Sequence, residues 1–307
     1  MRPYRPSYVF SIPGVLLLAA AAVIGGLAIG GATLAVSRLI YIPLMMPVLM
    51  GLGGAGVLTV AIKKARMPNR FLALLFGLLI GVTTYATLNY GEYLLFQREQ
   101  ITLLKEDYQA SYPDLTDQDY QDFLDFLLEE ETGTPGFPGY LHWTAITGVT
   151  FVAESTYGPP DESGLTITGP WVWLYWGIEL LIICAISAFA TFGSAPTTLC
   201  SQCRQWYADP VYLNYVPGPF APSFLELLRN GALEEAAKLI SPTAGAGAHY
   251  LTVQTRSCPN CPEADVILQV RRLSPGRQGR VTTRNVFQGL MTPEEHASFL
   301  RAIRTDR

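Results

Sequence analysis

Four long stretches of this chain carry almost no charge, and nothing else in it limits the fold so strongly. The runs Tyr8 to Ser37, Leu39 to Ile62 and Phe71 to Gly91 hold no Asp, Glu, Lys or Arg, and Pro170 to Cys203 holds only Glu179. Each run reaches the roughly 20 apolar residues that cross a bilayer as a helix. In lipid the backbone must satisfy its own hydrogen bonds, which selects helices for such spans. The spans are placed at 12–37, 40–62, 70–96 and 171–193. Only 15% of the 307 residues are charged, against about 25% in soluble domains. Arg2 and Arg5 would suit a cleaved signal peptide, but its apolar core runs roughly 7–15 residues and the first run here is much longer.

The expected fold class is a membrane all-α four-helix bundle with a small α+β extracytoplasmic cap and a C-terminal cytoplasmic α+β zinc-ribbon-like domain. Residues 1–96 carry the first three spans, 97–169 an acidic cap, 170–193 the fourth span, and 194–307 the terminal domain with a helical-hairpin insert at 222–241.

Orientation follows from basic residues, which stay cytoplasmic in short loops. Lys63, Lys64, Arg66 and Arg70 sit between the second and third spans, Arg2 and Arg5 precede the first, and the first hairpin has only Arg38. Both termini and the second loop are therefore expected in the cytoplasm. The segment 97–169 would face out; it carries fourteen acidic residues and two basic ones, Arg98 and Lys105.

Within the spans, Ala22, Gly26 and Gly30 recur at four-residue spacing, as do Gly77 and Gly81. Small residues so placed let helix backbones approach closely in lipid. A tight bundle is the expectation, and a Gly face can also pair with a second copy. Glu179 interrupts the fourth span, where a carboxylate costs several kcal/mol, roughly 2.5–3.5 on insertion scales, unless neutral or paired. It and Glu92 are the intramembrane polar candidates, for a structural hydrogen bond or for a ligand or ion path. No Lys or Arg is expected at the depth of Glu179, and its partners are sought among Thr83, Thr84, Tyr85, Thr87 and Tyr90, with Glu92 closer to the outer interface. Trp171, Trp173, Tyr175 and Trp176 suit an interfacial aromatic belt.

In the outer segment the third helix should continue to about Gln109. A second helix should start at Thr116, with Asp119 completing a capping box, bury Tyr120, Phe123, Leu124 and Leu127 on a face widened by Phe126 and Leu128, and end at Gly133. Two short β-like runs, Trp143–Val152 and Leu165–Thr168, follow. Asp114, Asp117, Asp119, Asp122 and Asp125 lack the Gly and terminal Glu of a calcium loop, and read as a solvated face.

Cys200-x2-Cys203 and Cys258-x2-Cys261 follow the last span. Four soft thiolates suit one tetrahedral structural zinc ion, and cytoplasmic thiols stay reduced. The gap exceeds the usual 15–20 residues, so iron and a redox role for Cys258-Pro259-Asn260-Cys261 remain open. Cys184 reads as a packing residue. In the insert, Ser223 and Glu226 would cap a helix that Gly231 closes, before a second over 232–241. Strands over His249–Arg256 and Asp265–Arg271 would flank the second cysteine pair, and Thr292 should cap a last helix. Arg271, Arg272, Arg277, Arg280 and Arg284 form an acid-free cluster, read as a solvated loop facing anionic lipid headgroups. Without interleaved aromatics it argues against nucleic acid.

The Gly-rich first helix, the Tyr41–Pro43 hairpin, the run Tyr175–Glu179 and the CxxCxxWY of Cys200–Tyr207 together resemble a family of bacterial inner-membrane proteins of uncharacterised activity. That family has a four-helix region and a C-terminal CxxC pair. The resemblance covers about the first two thirds of the chain and implies a bacterial plasma membrane and no particular activity.

No phosphate loop, HExxH or nucleophile elbow is present, and His142, His249 and His296 are the only histidines. The functional expectation is a non-enzymatic membrane scaffold or sensor, with a protein partner on the cytoplasmic side. A small transporter or channel component using Glu179 is the alternative, and a membrane thiol oxidoreductase the third.

Overall fold

A computed structural model describes residues 1–3, 11–39, 42–108, 115–151, 165–195, 198–200, 202–242, 250–275 and 281–305. Its contacts divide the chain into two compact units. One holds the N-terminal residues, Arg66–Pro68 and the C-terminal part; the other holds the helices between.

The helical unit contains α1 (Ile12–Ser37), α2 (Met45–Ala65), α3 (Arg70–Tyr108) and α6 (Pro170–Ser194), each long and apolar enough to cross a membrane. Its polarity is that of a bundle in oil. Leu16, Ile24, Leu27, Phe71, Leu181 and Phe189 are exposed, while Gly26, Gly30, Ser187 and Thr191 are buried. α1 packs on α2 and α3, and α6 packs on the same two helices. A Cβ at Gly30 would lie 2.6 Å from the Thr84 carbonyl oxygen, and one at Gly77 would lie 2.6 Å from Ala188 Cα. Only glycine permits those approaches. Polar groups then bridge the helices: Ser187 Oγ donates to the Gly51 carbonyl at 3.0 Å and Thr191 Oγ1 to the Ala73 carbonyl at 3.1 Å. Cys184 lies against α3, close to Gly81, as a packing residue does.

The second span differs from expectation. Its helix begins at Met45 and runs through Lys63 and Lys64 to Ala65, whose charges complement the carbonyl end of the helix. Pro47, which lacks an N–H, is tolerated in the first turn. Ile40 and Tyr41 lie outside the described residues. α3 is 39 residues long, about 58 Å at 1.5 Å per residue, so it outruns a ~30 Å hydrocarbon core as expected.

Beyond it, α4 (Asp117–Thr132) has the expected reciprocal capping box between Thr116 and Asp119 and ends on Gly133 at φ 78°. Its buried face is Tyr120, Leu124 and Leu128, whereas Phe123 is exposed; the face follows i, i+4, i+8. Asp117 pairs with Lys105 at 2.6 Å. Asp114 lies outside the described residues. The expected strand at Trp143 is overturned: α5 (Gly136–Thr147) is helical. The β-branched Thr144 and Thr147 return their hydroxyls to the carbonyls of Tyr140 and Trp143, which accommodates them in a helix. A hairpin follows, β2 (Val149–Phe151) paired antiparallel with β3 (Leu165–Ile167). Tyr93 and Phe96 of α3 pack their rings on Phe137, Tyr140 and Trp143 of α5.

The second unit is built on an antiparallel sheet. Its strands are β1 (Arg2–Pro3), β4 (Val211–Pro217), β5 (Tyr250–Arg256), β6 (Val266–Pro275) and β7 (Val281–Met291), in the order β1-β7-β6-β5-β4. Three helices, α7 (Ala221–Arg229), α8 (Leu233–Lys238) and α9 (Pro293–Thr305), complete it. Phe224, Leu228, Leu251, Leu268, Met291 and Phe299 form the centre of its core. Ser223 does not cap α7 but lies inside it; the helix starts at Ala221, with Pro222 in the first turn, the position proline favours. Gly231, at φ 79°, turns the chain between the two helices. Thr292 and Glu295 form the expected cap of α9 through the bonds Glu295 N to Thr292 Oγ1 and Thr292 N to Glu295.

Candidate metal centre and bundle cavity

The metal centre is assembled from two tight turns. Around the first, Leu199 bridges Trp206 and the Cys200 N–H donates to the Gln205 carbonyl at 2.8 Å. Arg204, at φ 54°, makes the left-handed reversal. The second turn joins β5 to β6, as a zinc-ribbon knuckle should, and is closed by Ala264 N–H to the Cys261 carbonyl at 3.0 Å. Three contacts lock the turns together: Ala208 N–H to the Ser257 carbonyl at 3.0 Å, Tyr207 hydroxyl to the Asp265 carbonyl at 2.8 Å, and Asn260 to Gln205.

All four sulfurs, of Cys200, Cys203, Cys258 and Cys261, lie within 4.8 Å of one another. A tetrahedral ion with bonds of about 2.3 Å sets its sulfurs about 3.8 Å apart, so the cluster fits a metal ion. None of the four is in a disulfide. Cys200 and Cys258 are buried. The thiols compete for protons: hydrogen bonds from Cys261 and the other cysteines bring Cys203 down to about 7, while the bond to Cys203 and burial push Cys261 up to about 12. Burial raises Cys258. A shared thiol–thiolate set of this kind exchanges protons for a cation when metal binds. No fifth side chain is offered as a ligand among the described residues, and a closed four-sulfur set leaves no open position for catalysis.

The two glutamates singled out from the sequence come together. Glu92 of α3 and Glu179 of α6 line one cavity of about 470 Å³. Glu179 is 6% exposed and accepts a hydrogen bond of 2.5 Å from the Tyr175 hydroxyl one turn back. One of its partners is therefore on its own helix. Of the residues expected to serve it on α3, Tyr85 lines the same cavity. Thr83 and Thr87 instead bond carbonyls of α3 itself, and Tyr90 stacks on Phe137 and Tyr93. Arg38, the residue that follows α1 at its C-terminal end, also lines the cavity. Sequence reasoning treated Arg38 only as a loop charge; its position just past the end of a span was the available signal.

Three of the five arginines lie on strands rather than in a loop. Arg271 and Arg272 lie on β6 and Arg284 on β7, where Arg272 and Arg284 are cross-strand partners; Arg277 and Arg280 lie outside the described residues. Extended pairing of 266–275 with 281–291 replaces the solvated loop because ten residues of each strand find register partners.

Comparison with family models, with curated proteins and with solved structures gives no match.

Proposed function

We propose that the protein is a non-enzymatic scaffold or sensor of the bacterial plasma membrane, with both termini cytoplasmic, whose terminal domain holds one structural zinc ion and engages a cytoplasmic protein. The observation that carries the reading is the convergence of four cysteine sulfurs in a chain that also forms a bundle whose large apolar side chains are exposed. Four thiolates favour zinc over harder ions. A reducing compartment keeps them available, and the lysines and arginines at 63–70 favour that side for the terminal domain. Zinc bound there acts through folding: it ties the two knuckles and so fixes the sheet edge and helices that a partner would contact.

The test is metal analysis of the purified full chain together with labelling of intact cells by an impermeant maleimide after chelation. One tightly held zinc per chain and no labelling from outside support the reading. Modification of Cys200 or Cys261 from outside overturns the orientation. A reversible dithiol–disulfide cycle in a metal-free domain would replace the scaffold reading by an oxidoreductase.

One observation favours a second reading, a small transporter or channel component: Glu92, Glu179 and Arg38 line a single cavity in the bundle. Lost flux in reconstituted vesicles on Glu179→Gln, with the fold retained, would select it.

A further inference from the structure

The bundle cavity has a chemistry of its own, separate from the cysteine centre. α3 contributes Tyr85, Asn89, Glu92 and Glu99, residues spaced by four, three and seven, hence one face of a helix. α6 contributes Tyr175 and Glu179, again one turn apart, and α5 adds Tyr140. Three carboxylates face one guanidinium, Arg38. When all are ionised the lining is net negative by two, from Glu92, Glu99 and Glu179 against Arg38.

Phe96 and Trp176 add two more rings to the wall, among aliphatic and hydroxyl side chains. Tyrosine and tryptophan faces attract cations through their ring quadrupoles, most strongly where water is thin. Glu179 is almost wholly buried, and a carboxylate in such a place is stabilised by an opposite charge. The cavity volume of about 470 Å³ falls in the range of about 300–1,000 Å³ that takes small organic molecules, much larger than one bare metal ion requires.

We propose that this cavity is a binding site for an organic ammonium group, held by Glu92 and Glu179 against the tyrosine faces, with Arg38 receiving an anionic group where the ligand carries one. The same chemistry belongs to a water-soluble amine and to the headgroup of an aminophospholipid. Binding stands whether or not the bundle moves its ligand, and it does not depend on the metal centre.

The full chain, stripped of lipid in dodecyl maltoside and amine-free buffer, is titrated calorimetrically with ethanolamine and with n-butylamine. Native mass spectrometry in parallel compares retention of phosphatidylethanolamine with that of phosphatidylglycerol. Saturable binding of either amine identifies a solute site. Selective retention of phosphatidylethanolamine alone identifies a lipid site. In both cases Glu92→Gln and Glu179→Gln should weaken binding tenfold or more, with the metal content of the terminal domain unchanged. Should a glutamate variant fail to fold, Tyr140→Ala, on the helix outside the four long spans, is expected to weaken binding several-fold. Absence of binding by all three ligands to the unaltered protein overturns the proposal. So does binding that survives Glu92→Gln/Glu179→Gln, or Tyr140→Ala, in folded protein. Binding of manganese with no response to the amines also overturns it, in favour of a metal site.

Discussion

The sulfurs of Cys203 and Cys258 lie 3.3 Å apart, although 55 positions separate the two residues in the chain. The intervening segment is no loose insert. It holds β4, α7 and α8, and the pairing of β4 with β5, from Val211 opposite Thr255 to Pro217 opposite Tyr250, brings the chain back to the second knuckle. The sheet thus sets the geometry of the four sulfurs, and a metal bound there would tie the two turns together. Structural zinc contributes on the order of 10 kcal/mol to folding in small domains. If the site holds zinc as proposed, Cys258→Ser should abolish metal binding and unfold the terminal domain while leaving the four long helices intact. Elemental analysis and limited proteolysis check this; equal protease resistance of the domain in variant and parent would contradict it.

Close helix approach makes a second prediction. A side chain at Gly77 meets Ala188 backbone atoms at 2.6 and 2.9 Å, whereas Gly177 has nothing within 4 Å. Gly77→Val should push α3 off α6 and lower stability in detergent by at least the ~1–3 kcal/mol typical of overpacking. Gly177→Val should be close to neutral. Thermal unfolding of both variants, followed by helical circular dichroism, distinguishes a real contact from general intolerance of the substitution.

How far the chain could be read beforehand varied with the physics of each segment. The four spans were legible because a bilayer admits only one solution for twenty uncharged apolar residues, and the start of α1 at Ile12 follows directly. Thr116 and Asp119 were legible because a cap is local. The β-branched residues around Trp143 misled, since α5 is favoured by a proline-rich start and by ring packing on Tyr93 and Phe96, neither visible as periodicity. β7 was missed because Thr282, Thr283, Arg284 and Asn285 are exposed and read as loop; its strand character comes from pairing with β6. The four cysteines were legible as a set from spacing alone. The cavity was not, because Glu92, Arg38 and Glu179 lie on three different helices and only packing brings them together.

The polar bridges inside the bundle give a third prediction. Thr191 Oγ1 is buried and donates to Ala73 on α3, besides its own helix; Ser187 Oγ donates to Gly51 on α2. Interhelical hydrogen bonds of this kind contribute about 0.6 kcal/mol each in membrane proteins. Thr191→Val should cost little more than that, and Ser187→Ala a similar amount. Because the two hydroxyls hold different helix pairs but sit one turn apart on α6, the double variant should exceed the sum. A double-mutant cycle on unfolding in mixed micelles measures the coupling.

Glu295 makes the terminal domain sensitive to acid. Partial burial alone would raise its pKa, but the Thr292 N–H, at 2.8 Å, and the Met1 ammonium, at 3.2 Å, hold the carboxyl below its ordinary value. A depressed carboxyl contributes stability that is fully present above its unfolded pKa, near 4.5, and is lost as pH falls through the lower folded value. Protonation of the thiolates of a bound metal would weaken the domain in acid too, but that effect would be common to parent and variant. Glu295→Gln should therefore lower the thermal midpoint near neutral pH and leave the two proteins converging as pH falls below 4.5 and through the lower folded value. Melting curves of the parent and Glu295→Gln across that range test the sign: a difference that grows toward acid would mean that Glu295 is protonated in the folded domain and that the contacts with Thr292 and Met1 do not stabilise its charge.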